Sequence, residues 1–176
     1  ADGWITFGRN EIPAFRNYPI PGAGGPSPMI AAFWDDLKTG SGGDVYYYET
    51  NEYVIIQWDY LRTYDANSRE TFEIILYNNE DEPTLTGDNE IKIQYQDFNN
   101  TSDGYYPSAG TPTHGCYATI GIENHLATQG LQYSFNNQYP VAAMSLHDGD
   151  ALFISTGRAS YIPGDLNQDE DINVLD

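Results

Sequence analysis

The chain is short of positive charge and of cysteine, and each shortage excludes something. Lys and Arg number 7 against 26 Asp and Glu, for a formal net charge of −19. A surface of that sign repels nucleic acid and anionic membranes, because both are polyanions, and it attracts cations, calcium above all. Neither a nucleic-acid partner nor membrane insertion is therefore expected. The single cysteine, Cys116, has no partner for an internal disulfide and no CxxC companion for zinc. It precedes an apolar strand, which suits a buried structural thiol. His114, His125 and His147 show no HExxH or HxH spacing, so a zinc site is not indicated. There is no Gly-x-Ser-x-Gly elbow. A dyad of Cys116 with His114 or His125 is a weaker reading than a buried thiol beside loop histidines. With 26 acids, a chance carboxylate pair is expected, so acidic pairs carry no glycosidase signal. The expectation is a protein that is not an enzyme. No apolar run reaches the length of a membrane span, and no signal peptide is visible, although Ala1 fits a residue left by cleavage.

What the chain does have is aromatic and turn-forming residues. Its 176 residues make one domain of ordinary size, with 40% hydrophobic and 14% aromatic residues, Tyr alone supplying 15. Tyr suits pleated, half-buried surfaces with a wet edge. Gly (17) and Pro (10) fall as punctuation between short apolar runs. Gly3 to Gly8 reads as a strand, Asn10 to Pro28 as a Pro/Gly-rich loop, and Met29 to Trp34 as a buried run stopped by Asp35-Asp36. Asp44 to Glu49 and Glu52 to Tyr60 flank Thr50-Asn51 as a hairpin, and Thr71 to Tyr77 pairs with Glu90 to Phe98. Tyr117 to Ile122, Gly130 to Phe135 and Ala151 to Ser155 complete the set. Ile91, Ile93 and Tyr95 alternate with Glu90, Lys92 and Gln94, which is the period of a half-buried antiparallel strand. About nine such strands and no convincing helical period predict an all-β fold, an antiparallel β-sandwich or jelly roll. Trp34, Ile55, Trp58, Ile74, Leu76, Ile93, Ile120 and Ile122 are the expected core.

Composition divides the chain into a β-sandwich domain over residues 1–156, a linker over 157–164 and an acidic segment over 165–176. In that last segment Asp165, Asn167, Asp169, Asp171, Asn173 and Asp176 occupy positions 1, 3, 5, 7, 9 and 12 of a loop. This is the ligand spacing of an EF-hand-type Ca2+ site. Calcium takes six to eight hard oxygen ligands, and a loop curling around the ion presents alternate side chains inward. Position 7 would donate its backbone carbonyl, and Ile172 at position 8 would turn back into the fold. Asp35-Asp36 and Asp148-Gly149-Asp150 read as turns, with a second calcium site as the alternative. Asn99-Asn100-Thr101-Ser102 holds two overlapping glycosylation sequons, which matter only in an exported chain. Tyr46 and Tyr48 share one strand face and Tyr47 the other. A solvent-open Tyr face would suit carbohydrate or a protein interface, whereas Trp4, Trp34 and Trp58 suit the core.

The string Gly164-Asp165-Leu166-Asn167-Gln168-Asp169-Glu170-Asp171-Ile172-Asn173-Val174-Leu175-Asp176 resembles the first calcium loop of a dockerin-type repeat. Glu170 departs from it, since the family prefers Gly at position 6 for the sharp turn. The resemblance covers these 13 residues only, so the cohesin binding of dockerins, made by helices outside them, is not implied. Over about Gly3 to Thr156, the runs GWITFG, MIAAFWDDL, DVYYYE, YVIIQW, FEIILY, ATIGIEN, GLQYSFN and LHDGDALFIS resemble nidogen-like secreted bacterial β-sandwich modules. That resemblance implies an extracellular or cell-surface module with no catalytic role. Such modules usually carry further strands before the GWITFG-like one, so either processing has removed sheet or another chain supplies it. The resulting expectation is a calcium-binding module of structure, adhesion or self-assembly, a surface or filament subunit included, with other extracellular proteins or copies of itself as partners. The alternative is a glycan-binding accessory module of a secreted hydrolase.

Overall fold

A computed structural model describes residues 2–9, 14–40, 42–78, 80, 84, 86–104 and 117–157. Among them are ten strands and no helix: β1 (Trp4–Ile5), β2 (Met29–Trp34), β3 (Leu37–Lys38), β4 (Asp44–Glu49), β5 (Tyr53–Thr63), β6 (Arg69–Tyr77), β7 (Ile91–Asp97), β8 (Thr119–Glu123), β9 (Gly130–Ser134) and β10 (Ala151–Ile154). One sheet runs β1-β2-β8-β9. The other runs β10-β7-β6-β5-β3, with β4 also paired to β5. Every pairing is antiparallel. The all-β antiparallel architecture expected from the alternating runs is the one observed.

Strand register explains the core. Val45, Trp58, Phe72 and Tyr95 stand in one row across the larger sheet, and Ile56, Ile74, Ile93 and Leu152 in the next. These rows face Ile30, Ala32, Phe33, Ala118 and Ile120 of the smaller sheet and its approach. Phe72 stacks on Trp58 at 5.0 Å and on Phe33 at 5.5 Å between ring centroids. The phenol of Tyr95, fully enclosed in this core, donates to the carbonyl of Ala32 at 2.7 Å and so ties the two sheets together. Burial pushes its pKa well above the ordinary tyrosine value.

Strand β2 is buried on both faces, and the Pro/Gly-rich loop is the reason. Ile30, Ala32 and Phe33 enter the sandwich, whereas Met29, Ala31 and Trp34 pack under Ala14 and Ile20. The indoles of Trp4 and Trp34 both donate to the carbonyl of Ala14, at 3.0 and 2.7 Å. Gly25 lies against the Trp34 ring, where a Cβ would approach to 2.5 Å. Gly3 has φ +70° and its carbonyl accepts from the amides of Ala32 and Phe33, so the close approach of β1 to β2 requires glycine there.

Three expectations are corrected. Trp34 is buried, but beneath the loop rather than in the sandwich core. Ile55 is half-buried on the outer face, and Ile56 packs against the core in its place, because Trp58 fixes the inward parity of β5. Strand β5 runs on to Thr63 through an irregularity between Trp58 and Leu61, where Tyr60 takes a positive φ of 55°.

Candidate functional site

Several sequence candidates resolve into structural roles. Asp148 accepts the amide of Phe98 and Asp150 that of His147, both at 2.8 Å, around Gly149 at φ +84°. The segment is thus a hydrogen-bonded turn before β10. The amide group of Asn100 is buried, donating to Asn137 Oδ1 at 2.9 Å and accepting from the amide of Ala118 at 2.8 Å, so that sequon is not open in the folded domain. Asn99 is exposed. Among the described residues, no three His, Cys, Asp or Glu side chains converge in a way that could hold a metal ion. The calcium-loop residues Asp165, Asn167, Asp169, Asp171, Asn173 and Asp176 lie outside the described residues, as do Cys116 and His114.

Two buried or half-buried acids organise the segment after β7. Glu70 is fully buried and accepts from the amides of Asn99 (2.8 Å) and Asn100 (3.2 Å) and from the hydroxyl of Ser68 (2.8 Å). Burial dominates these bonds, and with the charge of Asp35 it raises the carboxyl to about 7. Asp65 shows the opposite balance. Burial pushes it up, but the Ser102 hydroxyl and the amides of Ala66 and Gly104 hold it below the usual range. Nothing in the alternating strand pattern marks either acid, since the sequence around them is simply polar.

The larger sheet offers the most accessible chemistry, on its outer face. Register places Tyr46, Gln57, Glu73, Gln94 and Ala151 in one row across β4, β5, β6, β7 and β10. Tyr48, Ile55, Ile75, Lys92 and Phe153 form the next. Gln94 Nε2 donates to Glu73 Oε1 at 2.5 Å. A groove of about 330 Å3 opens over this polar row, bordered at its β10 end by the small residues Gly149 and Ala151. Tyr46 and Tyr48 are 54% and 58% exposed, and Phe153, edge-on to Tyr77, is 58% exposed.

Strand β4 also borders this face. Tyr47 lies on its opposite side and is still 64% exposed, with its hydroxyl donating to Glu49. Among the described strands β4 pairs only with β5. The amide of Val45 donates to the carboxylate of Asp44, whereas that of Thr50 crosses the turn to the carbonyl of Tyr53. In an antiparallel ladder the inward and outward groups alternate. Residues 44, 46 and 48 therefore turn their backbone groups toward β5, and Val45, Tyr47 and Glu49 turn theirs away from it.

A sequence profile described as NIDO related matches residues 1–154, ending with the last residue of β10. The chain belongs to the NIDO-related family. No curated protein and no solved structure matches it. The NIDO-related family suggests an extracellular module, and no helix among the described residues is long and apolar enough to cross a membrane. Sequence reading singled out the tyrosines of this NIDO-related domain but missed Gln57, Glu73 and Gln94. Each was visible as the polar member of an alternating strand and read as an ordinary solvated position.

Proposed function

We propose that this NIDO-related domain is a non-catalytic extracellular module of structure, adhesion or self-assembly, and that it works by adding a strand at β4. The observation that carries this reading is the row of outward backbone groups at Val45, Tyr47 and Glu49 on a strand whose side chains are mostly exposed. Such an edge is a template for another extended segment, with main-chain hydrogen bonds giving affinity and alternate side chains giving specificity. Three consecutive tyrosines add large, stiff contact area that tolerates water at its rim.

The acidic tail gives the same reading a control element. Asp165, Asn167, Asp169 and Asp176 would ligate calcium through side chains, Asp171 through its carbonyl, and Asn173 directly or through water. Subunits of −19 repel at low ionic strength, and bound calcium lowers that repulsion. The partner is a second copy or another extracellular protein with an extended segment to offer. Light scattering across a calcium titration tests the proposal. Association should rise with calcium, fall with chelator and weaken when residues from Gly164 onward are deleted. A particle that stays monomeric at millimolar calcium rejects it.

A further inference from the structure

We infer that the groove on the outer face of the larger sheet binds an uncharged glycan chain. The site is distinct from the β4 backbone edge, because it uses side chains above the sheet, and it shares only Tyr46 with the surface of strand addition.

The argument starts from what a neutral sugar presents. Each ring has apolar C–H faces and an equator of hydroxyls, and neighbouring hydroxyls match the spacing of a planar amide or carboxylate. A site therefore needs exposed aromatic faces beside a row of Gln, Asn, Asp or Glu, and little net positive charge. Gln57, Glu73 and Gln94 line the groove, and Tyr46 stands beside it as the exposed aromatic at the β4 end of the same row. The Gln94–Glu73 hydrogen bond holds two of the planar groups against each other, which fixes their orientation before a ligand arrives. With a strand spacing of ~4.8 Å, five strands from β4 to β10 give a track of roughly 19 Å, long enough for a chain of several sugars. Small residues at its β10 end, Gly149 and Ala151, leave room for the rings.

Charge selects the class of glycan. Lys92 is the single basic residue in these two rows, it stands near Glu73, and the whole chain carries −19. A sulfated or uronic-acid polymer would be repelled. A purely apolar protein partner fits less well, because three planar polar groups at the centre of the face would lose water without assured partners.

Titration calorimetry with cellohexaose, xylohexaose, mannohexaose and chitohexaose, run in chelator so that calcium-dependent association does not intervene, tests the inference. Heparin serves as the charged control. At least one neutral oligosaccharide should bind, and Tyr46→Ala and Gln94→Ala should each weaken it by about tenfold or more, with unchanged melting temperature. Leu126→Ala, exposed on the turn between β8 and β9 of the smaller sheet, should bind as wild type does. Absence of binding by all four at millimolar ligand, binding that survives both Tyr46→Ala and Gln94→Ala, or a preference for heparin overturns the inference.

Discussion

Replacing Glu70 with Gln should abolish the pH dependence that this residue imposes on stability. Glu70 is buried at the start of β6 and titrates near 7 in the folded domain, against an ordinary 4.5. Between those two values the unfolded chain has already released the proton and the native chain still holds it. The native state then binds more protons, so stability declines as pH rises through this window. At about 1.4 kcal/mol per pH unit, the gap amounts to about 3 kcal/mol, fully present below pH 4.5 and lost above 7. The protonated acid has a place for its hydrogen. Glu70 Oε1 can donate to Ser68 Oγ, which lies 3.0 Å from Thr63 Oγ1 and can donate onward. Gln is neutral throughout. It has one acceptor oxygen to face the Asn99 and Asn100 amides, and the resulting cost is constant with pH. Urea unfolding of both proteins from pH 4 to 8.5 in chelator isolates the term, since the other carboxyls cancel in the difference. The stability of wild type minus that of Glu70→Gln should fall by about 3 kcal/mol between pH 4.5 and 8. A difference that is flat across that range would refute the burial argument.

Two further outcomes follow from the same structure. Ile74 is fully enclosed between the sheets, so Ile74→Ala should lower unfolding stability by about 2–5 kcal/mol, measured by chemical denaturation; a loss below about 1 kcal/mol would contradict its place in the core. Calorimetry should register calcium binding that Asp165→Ala abolishes, with a rise in melting temperature for wild type alone, as expected of a ligand that binds only the folded loop.

Alternation made most of the sheet legible. In β7 the inward Ile93 and Tyr95 and outward Lys92 and Gln94 fall where their order in sequence puts them. The β4–β5 and β6–β7 pairs follow from turn residues between matched runs. Where alternation stops, the reading failed. Val54, Ile55 and Ile56 are all aliphatic, so only the position of Trp58 decides which of them faces inward. Strand β3, two residues long, is too short to show a period. The cover of Met29, Ala31 and Trp34 by Ala14 and Ile20 depends on how a long loop folds back, which no local pattern encodes. The groove was hidden for a related reason. Gln57, Glu73 and Gln94 are far apart in sequence and meet only through the order β5-β6-β7.

The central claim is that β4 receives a strand, and one backbone hydrogen tests it most directly. The amide of Tyr47 points away from β5, so Tyr47→Pro removes a donor from the open edge and leaves the β4–β5 ladder intact, a position where sheets tolerate proline. Light scattering on wild type and variant, each with millimolar calcium and with chelator, gives four particle masses. Wild type should associate in calcium and dissociate in chelator, while Tyr47→Pro, with an unchanged circular dichroism spectrum, should remain monomeric in both. Equal association of the two proteins in calcium would contradict the account.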